Sequence, residues 1–268
     1  MHNFTSIGNL DLLEQTHKNI AVVGARRASV FSQNICSELI KHLARFDCNI
    51  VSGLAYGIDS SAHKSALDNG LDTIAVLGCG INNFPEQTGN PALARRIQDH
   101  PTSLIVSQFE HDSPASKFSF PLRNKTIAEL SFCVIVIQAG AESGSLITAT
   151  WAHKLAKKIF VIPGQFLSDS FAGNNFLLSN SLAEPILDFE KLGSQLELLP
   201  KPPKTYQCTL LSPVAQIILA SLSLEPINIE ELIQKTALDY AIVSKQLSML
   251  EIQGYIKRTP GMLFSRKS

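Results

Sequence analysis

Runs too short to be helices and rich in Val and Ile occupy residues 19–23, 49–51, 73–77, 103–106, 133–137 and 158–162, and helical periodicity fills the intervals between them. Residues 31–46 carry Ile35, Leu39, Ile40 and Leu43 at helical spacing; 60–67, 91–97, 126–130 and 146–156 read as further helices. This alternation predicts an α/β fold, a parallel sheet with helices on both faces. Right-handed crossovers then bring the C-terminal end of every strand to one edge, where ligands of open α/β sheets bind. With 268 residues, 45% of them hydrophobic and 17% charged, the chain has the apolar surface for a substantial core, which argues against disorder and against a coiled coil.

The pattern changes after Leu192. Residues 193–213 contain Pro200, Pro202, Pro203 and Pro213 without a strong period and read as a semi-rigid linker between a domain at 1–192 and a second at 214–268. The second unit offers helices at 214–222, 229–236 and 241–253, then two short strands within 255–264 about the turn Thr259-Pro260-Gly261, an order that predicts a small winged-helix-like domain. Its cations are Lys235, Lys245, Lys257, Arg258, Arg266 and Lys267, and its acids are Glu225, Glu230, Glu231, Asp239 and Glu251. The third helix brings only Lys245, so protein contact or weak duplex binding fits better than a transcription factor led by this unit.

Lys and Arg total 23 against 23 Asp and Glu, which removes the global basicity of a coat protein but leaves room for a local basic cleft. The five cysteines, at 36, 48, 79, 133 and 208, form no C-x-x-C pair and have no closely spaced His, so neither a structural zinc nor any other metal is expected. Cys79 and Cys133 sit in apolar runs and read as reduced, buried thiols of a cytoplasmic protein. Residues 1–9 lack a basic start followed by an apolar stretch, and no apolar run approaches the roughly 18 residues of a membrane span. The expectation is a soluble, unexported chain with no membrane partner.

Four segments at the expected sheet edge carry chemistry. The first strand runs into Gly24-Ala25-Arg26-Arg27-Ala28-Ser29, where Gly24 permits a tight turn and Ser29 can cap the next helix. Arg26 and Arg27 are either surface charges or, beside a helix N-terminus, part of an anion site. The second strand runs into Ser52-Gly53-Leu54-Ala55-Tyr56-Gly57-Ile58-Asp59, whose glycines allow backbone N–H groups to curl around an anion. Asp59 reads first as a helix cap, and His63, four residues on, can bond with it. The stretch Lys117-Phe118-Ser119-Phe120-Pro121-Leu122-Arg123-Asn124-Lys125 combines three cations with two aromatic rings, lies between a strand and a helix, and suits a single-stranded nucleic acid: rings stack bases while cations neutralise the backbone. The alternative makes Phe118 and Phe120 core staples. Ser143-Gly144-Ser145 opens a helix with amides and hydroxyls able to hold a phosphate. Gly78-Cys79-Gly80-Ile81-Asn82-Asn83 has Asn83 where a dinucleotide fingerprint needs its third glycine, and Gly140-Ala141-Glu142-Ser143-Gly144-Ser145 is too short and lacks the lysine of a Walker loop, so no nucleotide cofactor is expected.

Six blocks in order make the chain similar to the DNA processing protein A family (DprA/Smf), bacterial proteins that receive single-stranded DNA during natural transformation. They are Val22-Val23-Gly24-Ala25-Arg26, Ser52 to Asp59 with Ala62-His63, Ala75-Val76-Leu77-Gly78-Cys79-Gly80, Phe120-Pro121-Leu122-Arg123-Asn124-Lys125, Ser143-Gly144-Ser145-Leu146-Ile147-Thr148-Ala149 and Val161-Ile162-Pro163-Gly164. The resemblance spans residues 20–188 and implies an extended Rossmann-like domain that binds DNA phosphates at the sheet edge, forms a homodimer and helps load a RecA-type recombinase, with the winged helix as an accessory. The chain departs from the family pattern in Arg123-Asn124-Lys125 for Arg-Asn-Arg, Ser107-Gln108 for Ser-Glu, Phe84-Pro85 for Tyr-Pro, and a tail, Asn174 to Asn180, without the usual glycine. Lys125 keeps the charge but gives up a bidentate fork. The helical N-terminal domain that some members carry is not expected in this chain.

The expected function is therefore non-enzymatic binding of single-stranded DNA. Its phosphate ligands would be Gly24, Ala25, Arg26, Arg27, Ser52, Gly53, Gly57, Lys117, Arg123, Asn124, Lys125, Ser143, Gly144 and Ser145, with Phe118 and Phe120 stacking on bases. Double-stranded DNA is a possible second ligand. The rival is a nucleoside-monophosphate phosphoribohydrolase on a related fold, in which a carboxylate follows a Gly-Gly-x-Gly-Thr loop; here Leu146-Ile147-Thr148 follows Gly144-Ser145, with no acid.

Overall fold

A computed structural model describes residues 4–201, 212–223, 226–252, 255–259 and 261–266. The chain divides into two units, Met1–Pro202 and Pro203–Ser268. The first is built on strands β1 (Thr5–Gly8), β2 (Asn19–Val23), β3 (Asn49–Ser52), β4 (Thr73–Val76), β5 (Leu104–Ser107), β6 (Cys133–Val136), β7 (Lys158–Val161) and β8 (Glu184–Pro185). They form one sheet in the order β1-β5-β4-β3-β2-β6-β7-β8, parallel except for β1, which pairs antiparallel with β5 at one edge. The mostly parallel α/β sheet and its fully buried inner strands agree with the sequence reading.

The helices are α1 (Asp11–Glu14), α2 (Val30–Leu43), α3 (Ile58–Asp68), α4 (Pro91–Gln98), α5 (Ser119–Glu129), α6 (Ser145–Lys154), α7 (Ala172–Ser179) and α8 (Leu192–Gln195). Alternate residues of β2 supply two cores, one on each face of the sheet. Ile20 and Val22 meet Leu39, Ile40 and Leu43 of α2 with Ala62 and Ala66 of α3, whereas Ala21 and Val23 meet Ile127 of α5, Ala149 and Ala152 of α6 and Leu177 of α7. The four described cysteines, Cys36, Cys48, Cys79 and Cys133, are free thiols inside this unit. Burial pushes the Cys48 thiol up to about 12, so these groups pack rather than react.

The chain moves from β2 to one side of the sheet through β3, β4 and β5 and then returns to place β6 on the other side of β2. This reversal is the topological switch point of the sheet, where the loops after β2 and β6 leave toward opposite faces and open a crevice. Two hydrogen bonds tie the loops together: Ala25 N donates to Gln138 O at 2.7 Å, and Ser29 N donates to Gln138 Oε1 at 3.0 Å. Buried Asn174 of α7 braces the second loop by accepting from Ala139 N at 2.7 Å and donating to Ile162 O at 2.8 Å.

Residues 193–201, read as linker from the sequence, belong instead to the first unit. Leu192 and Leu196 join the α2 core, Asp47 N donates to Leu199 O at 2.9 Å, and Pro200 bridges to Phe46. Pro200 there marks a stretch pinned by packing, not a free spacer. The rest of that linker within 202–211, including Cys208, lies outside the described residues, as do Gln253, Pro260 and Lys267.

The second unit contains α9 (Pro213–Ser221), β9 (Ile227–Asn228), α10 (Ile229–Thr236), α11 (Tyr240–Ile252), β10 (Ile256–Thr259) and β11 (Leu263–Arg266). Ser212 caps α9, with Pro213 in its first turn, and Asn228 caps α10 by accepting from Glu231 N at 2.7 Å. Ile218, Leu232, Val243, Leu247 and Phe264 close its core, and the antiparallel order β10-β11-β9 supplies the wing, so the fold is the expected winged helix.

Candidate nucleic-acid interface

At the switch point lies a cleft of about 650 Å³ lined by the turns after β2 and β6, the start of α3 and the first half of α5. Gly24 is obligatory in its floor: a Cβ there would stand 2.6 Å from Ile58 Cγ1. Gly57 precedes α3 with φ +75°, and a Cβ on it would come within 2.2 Å of the Ala25 carbonyl oxygen, so two of the motif glycines exist to let the loops after β2 and β3 touch. Ile58 N donates to that same carbonyl at 3.2 Å.

Arg26 is exposed at the mouth, its guanidinium 4.6 Å from the centroid of the half-buried Phe120 ring. Lys117 also lines the cleft and lies 5.2 Å from the ring of Phe118, which is 72% exposed. Across the cleft, Ser143 and Ser145 share a hydrogen bond of 2.8 Å at the start of α6, whose first amides are taken up within the turn: Leu146 N donates to Ser143 O at 3.0 Å and Ile147 N to Gly144 O at 3.1 Å. Thr148, one turn into that helix and 1% exposed, lines the same cleft with its Oγ1 lacking any partner among the described residues. A buried, unsatisfied hydroxyl on the floor of an anion-favouring cleft is a donor held ready.

Arg123 departs from expectation. The sequence placed it on an exposed loop; it sits inside α5, 4% exposed, with Nη1 donating to Val76 O at 2.9 Å and to Gly53 O. Its Nε donates to Asn124 Oδ1 at 3.0 Å, and Asn124 Nδ2 donates to Gly144 O at 3.0 Å, so the pair ties α5 to the serine loop. Burial pushes the Asp59 carboxyl up and the Arg123 guanidinium down, while each charge partly restores the other. Asp59 accepts from Gly53 N at 3.2 Å, which occupies that amide, and Ser52 Oγ donates to Val22 O at 2.7 Å from a fully buried position. Ser52 and Gly53 thus build the site from beneath. His63 does not meet Asp59; its Nδ1 lies 2.7 Å from Thr73 Oγ1, and burial first, with the Arg123 charge, lowers its pKa to about 3.

Lys125 points elsewhere: it pairs with Glu129 at 3.0 Å and lies 5.4 Å from the Trp151 ring, outside the cleft lining. Its place on α5, two residues past Arg123, turns it to another side of the helix. Arg27 is exposed but likewise absent from the lining. Gly24, Ala25, Arg26, Lys117, Phe120, Arg123, Asn124, Ser143, Gly144 and Ser145 do come together. Beside them a narrower hollow of about 180 Å³, walled by Leu54, Leu77 and Cys79, shares Arg26, Phe120 and Arg123 with the cleft. Gly78 allows the Phe120 ring to lie close, since a Cβ there would stand 3.0 Å from it. Thr148 was not picked out from the sequence, although its spacing of three from Ser145 puts it on the same helix face.

The model of the DNA recombination-mediator protein A family matches residues 4–197, and that of the DprA winged helix domain matches 200–262. A putative DNA processing protein DprA of Mycobacterium tuberculosis is 33% identical over 189 residues, which are 69% of this chain and 48% of that protein. The chain thus spans about half the length of that relative. Protein Smf of Synechocystis is 30% identical over 97% of this chain and 74% of its own length. Among solved structures, DNA processing protein A from Streptococcus pneumoniae superposes with a TM-score of 0.65 at 36% identity, over 72% of this chain and 65% of that one. The Helicobacter pylori protein, whose structure is described as giving insight into a single-stranded DNA binding mode, gives 0.65 at 32% identity over 72% and 86%. Resemblance in six motif blocks, the sheet order and these matches agree, and the chain belongs to the DNA recombination-mediator protein A family.

Proposed function

We propose that this chain binds single-stranded DNA in the switch-point cleft without chemistry, protects it and delivers it to a RecA-type recombinase during natural transformation. The observation that carries the reading is the pairing of an exposed cation over an aromatic ring, Arg26 on Phe120, with the serine-rich start of α6 and the Thr148 hydroxyl, unsatisfied among the described residues, across the cleft. Phosphate fits between them, and the adjoining apolar hollow suits a base face. The solved Helicobacter relative supports the ligand class. Arg26, Lys117, Ser143, Gly144 and Ser145 serve as phosphate contacts, Phe118 and Phe120 as stacking surfaces, and Arg123 and Asn124 as the scaffold that positions them. No acid follows Gly144-Ser145, and buried Asp59 is engaged by a backbone amide, which argues for a binding site over a phosphoribohydrolase.

Homodimer formation, recombinase contact and a cytoplasmic setting complete the proposal; no described helix is long and apolar enough to cross a membrane. Fluorescence anisotropy with labelled oligothymidylate, without ATP or metal, tests the core of it. Binding should weaken with salt at roughly 0.7 in log–log slope per phosphate contact. Salt-insensitive binding, or release of free base from AMP, would overturn it.

A further inference from the structure

The cleft does not end blindly on both sides. Past the narrow hollow, Tyr56 forms a shared wall with a second surface groove that runs along α3 toward α2 and α4. Gly57, Ser61 and Lys64 stand at helical spacing of four and three along this groove, on one face of α3 and about 10 Å from end to end. Tyr56 is 64% exposed, and among the described residues its ring and hydroxyl have no partner. Lys64 is exposed and makes no ion pair among the described residues, whereas the neighbouring Arg96 and Lys41 are engaged by Asp68 at 2.5 Å and Glu38 at 3.6 Å. The wall that the loop after β6 gives to the cleft is acidic: Glu142 lines it, exposed, and exposed Asp169 follows beside Gly140.

From this asymmetry we infer that a bound single strand leaves the cleft over Tyr56 and along α3, with a base stacked on the Tyr56 ring and a phosphate held by Lys64. The inference rests on the proposed cleft and extends it by naming the exit. A polyanion leaving past Glu142 and Asp169 meets like charge, while the α3 side offers an unpaired cation next to an uncovered ring. Tyr56 borders both the apolar hollow and the groove, so the step from Arg26 and Phe120 to Lys64 is made across that one side chain.

Oligothymidylates of about four and about twelve nucleotides separate the cleft from its extension. Tyr56→Ala should weaken binding of the long oligomer roughly tenfold and that of the short one, which meets Tyr56 only as a wall of the hollow, by clearly less, with Tyr56→Trp restoring affinity. Lys64→Ala should lower the salt slope for the long oligomer by about 0.7 and leave that for the short one unchanged. Both side chains are exposed, so circular dichroism of the variants should match that of the parent chain. Equal binding of the long oligomer by parent and variants overturns the exit path alone. An equal loss on both lengths also overturns it, because the residues then belong to the cleft. Failure of the parent chain to bind the short oligomer overturns the cleft reading and this path with it.

Discussion

Arg26 and Arg123 approach the same Phe120 ring, at 4.6 and 5.7 Å, but only Arg26 faces water. Truncating Arg26 removes an exposed charge, so Arg26→Ala should leave the unfolding free energy within about 0.5 kcal/mol while weakening single-strand binding. Arg123→Ala strands the Gly53 and Val76 carbonyls and deprives buried Asp59 of its countercharge, a cost of about 3 kcal/mol measurable by urea unfolding. Equal stability of the two variants would contradict this division. The sequence could not reveal it, because the groups that bury Arg123 come from other strands and its own segment reads as polar. His63 gives a second test. Its pKa falls from 6.5 to about 3 in the folded chain, so as pH drops below 6.5 the unfolded chain takes a proton that the folded chain refuses. Its contribution to stability is present above 6.5 and is lost toward 3, at most about 1.4 kcal/mol per pH unit. His63→Gln should flatten the stability profile between roughly pH 6.5 and 5, above most carboxylate titration; an unchanged slope in urea midpoints across that window would contradict the assignment.

At the scale of elements, the strands were legible as short apolar runs, buried on both faces as Ile20 and Val22 against Ala21 and Val23 show, and the main helices by their period of about 3.6. The start of α5 was not. Pro121 looks like a break, yet it is the third residue of the helix, within the first turn where the missing N–H costs no intrahelical bond. A local signal was present in Ser116 and Ser119, whose hydroxyls each accept from the other's backbone N–H, at 3.1 and 3.0 Å, in a reciprocal cap. Four-residue α8 is too short to show a period, α7 keeps its large apolar residues to its second half, Phe176 to Leu178, and Asn174 is intelligible only once its four partners from the end of β6 and the loops after β6 and β7 are assembled. The helix-to-loop tie at Asn124 makes a prediction of its own. Asn124→Ala frees the Gly144 carbonyl, so amide exchange at Ser143 to Ile147 should accelerate and global stability fall by about 1 kcal/mol. Unchanged exchange there would show that α6 holds the serine loop unaided.

For the whole molecule, the division into a sheet domain and a winged helix was readable from the change of pattern, but the boundary was not, since a proline-rich stretch looks alike whether packed or free. The cleft is assembled wholly from residues of the first unit, and the winged helix has a separate core built around Leu232, Val243 and Phe264. A fragment of residues 1–202 should therefore fold and keep single-strand affinity within about tenfold of the full chain, or 1.4 kcal/mol. Ending the fragment at 192 is a different experiment. It deletes Leu196, 3% exposed, and Leu198 from the α2 core, removes Gly193 from its place against the Phe46 ring, and strips the Pro200 bridge and the Leu199 carbonyl that accepts from Asp47 N. Loss of two leucines from a packed core costs about 2–5 kcal/mol each when truncated to alanine, so the shorter fragment should melt well below the longer one or fail to fold. Thermal unfolding of the two fragments beside the full chain checks this: equal melting would return residues 193–201 to the linker, and a folded 1–202 fragment that binds more than tenfold more weakly would place a main DNA contact in the winged helix.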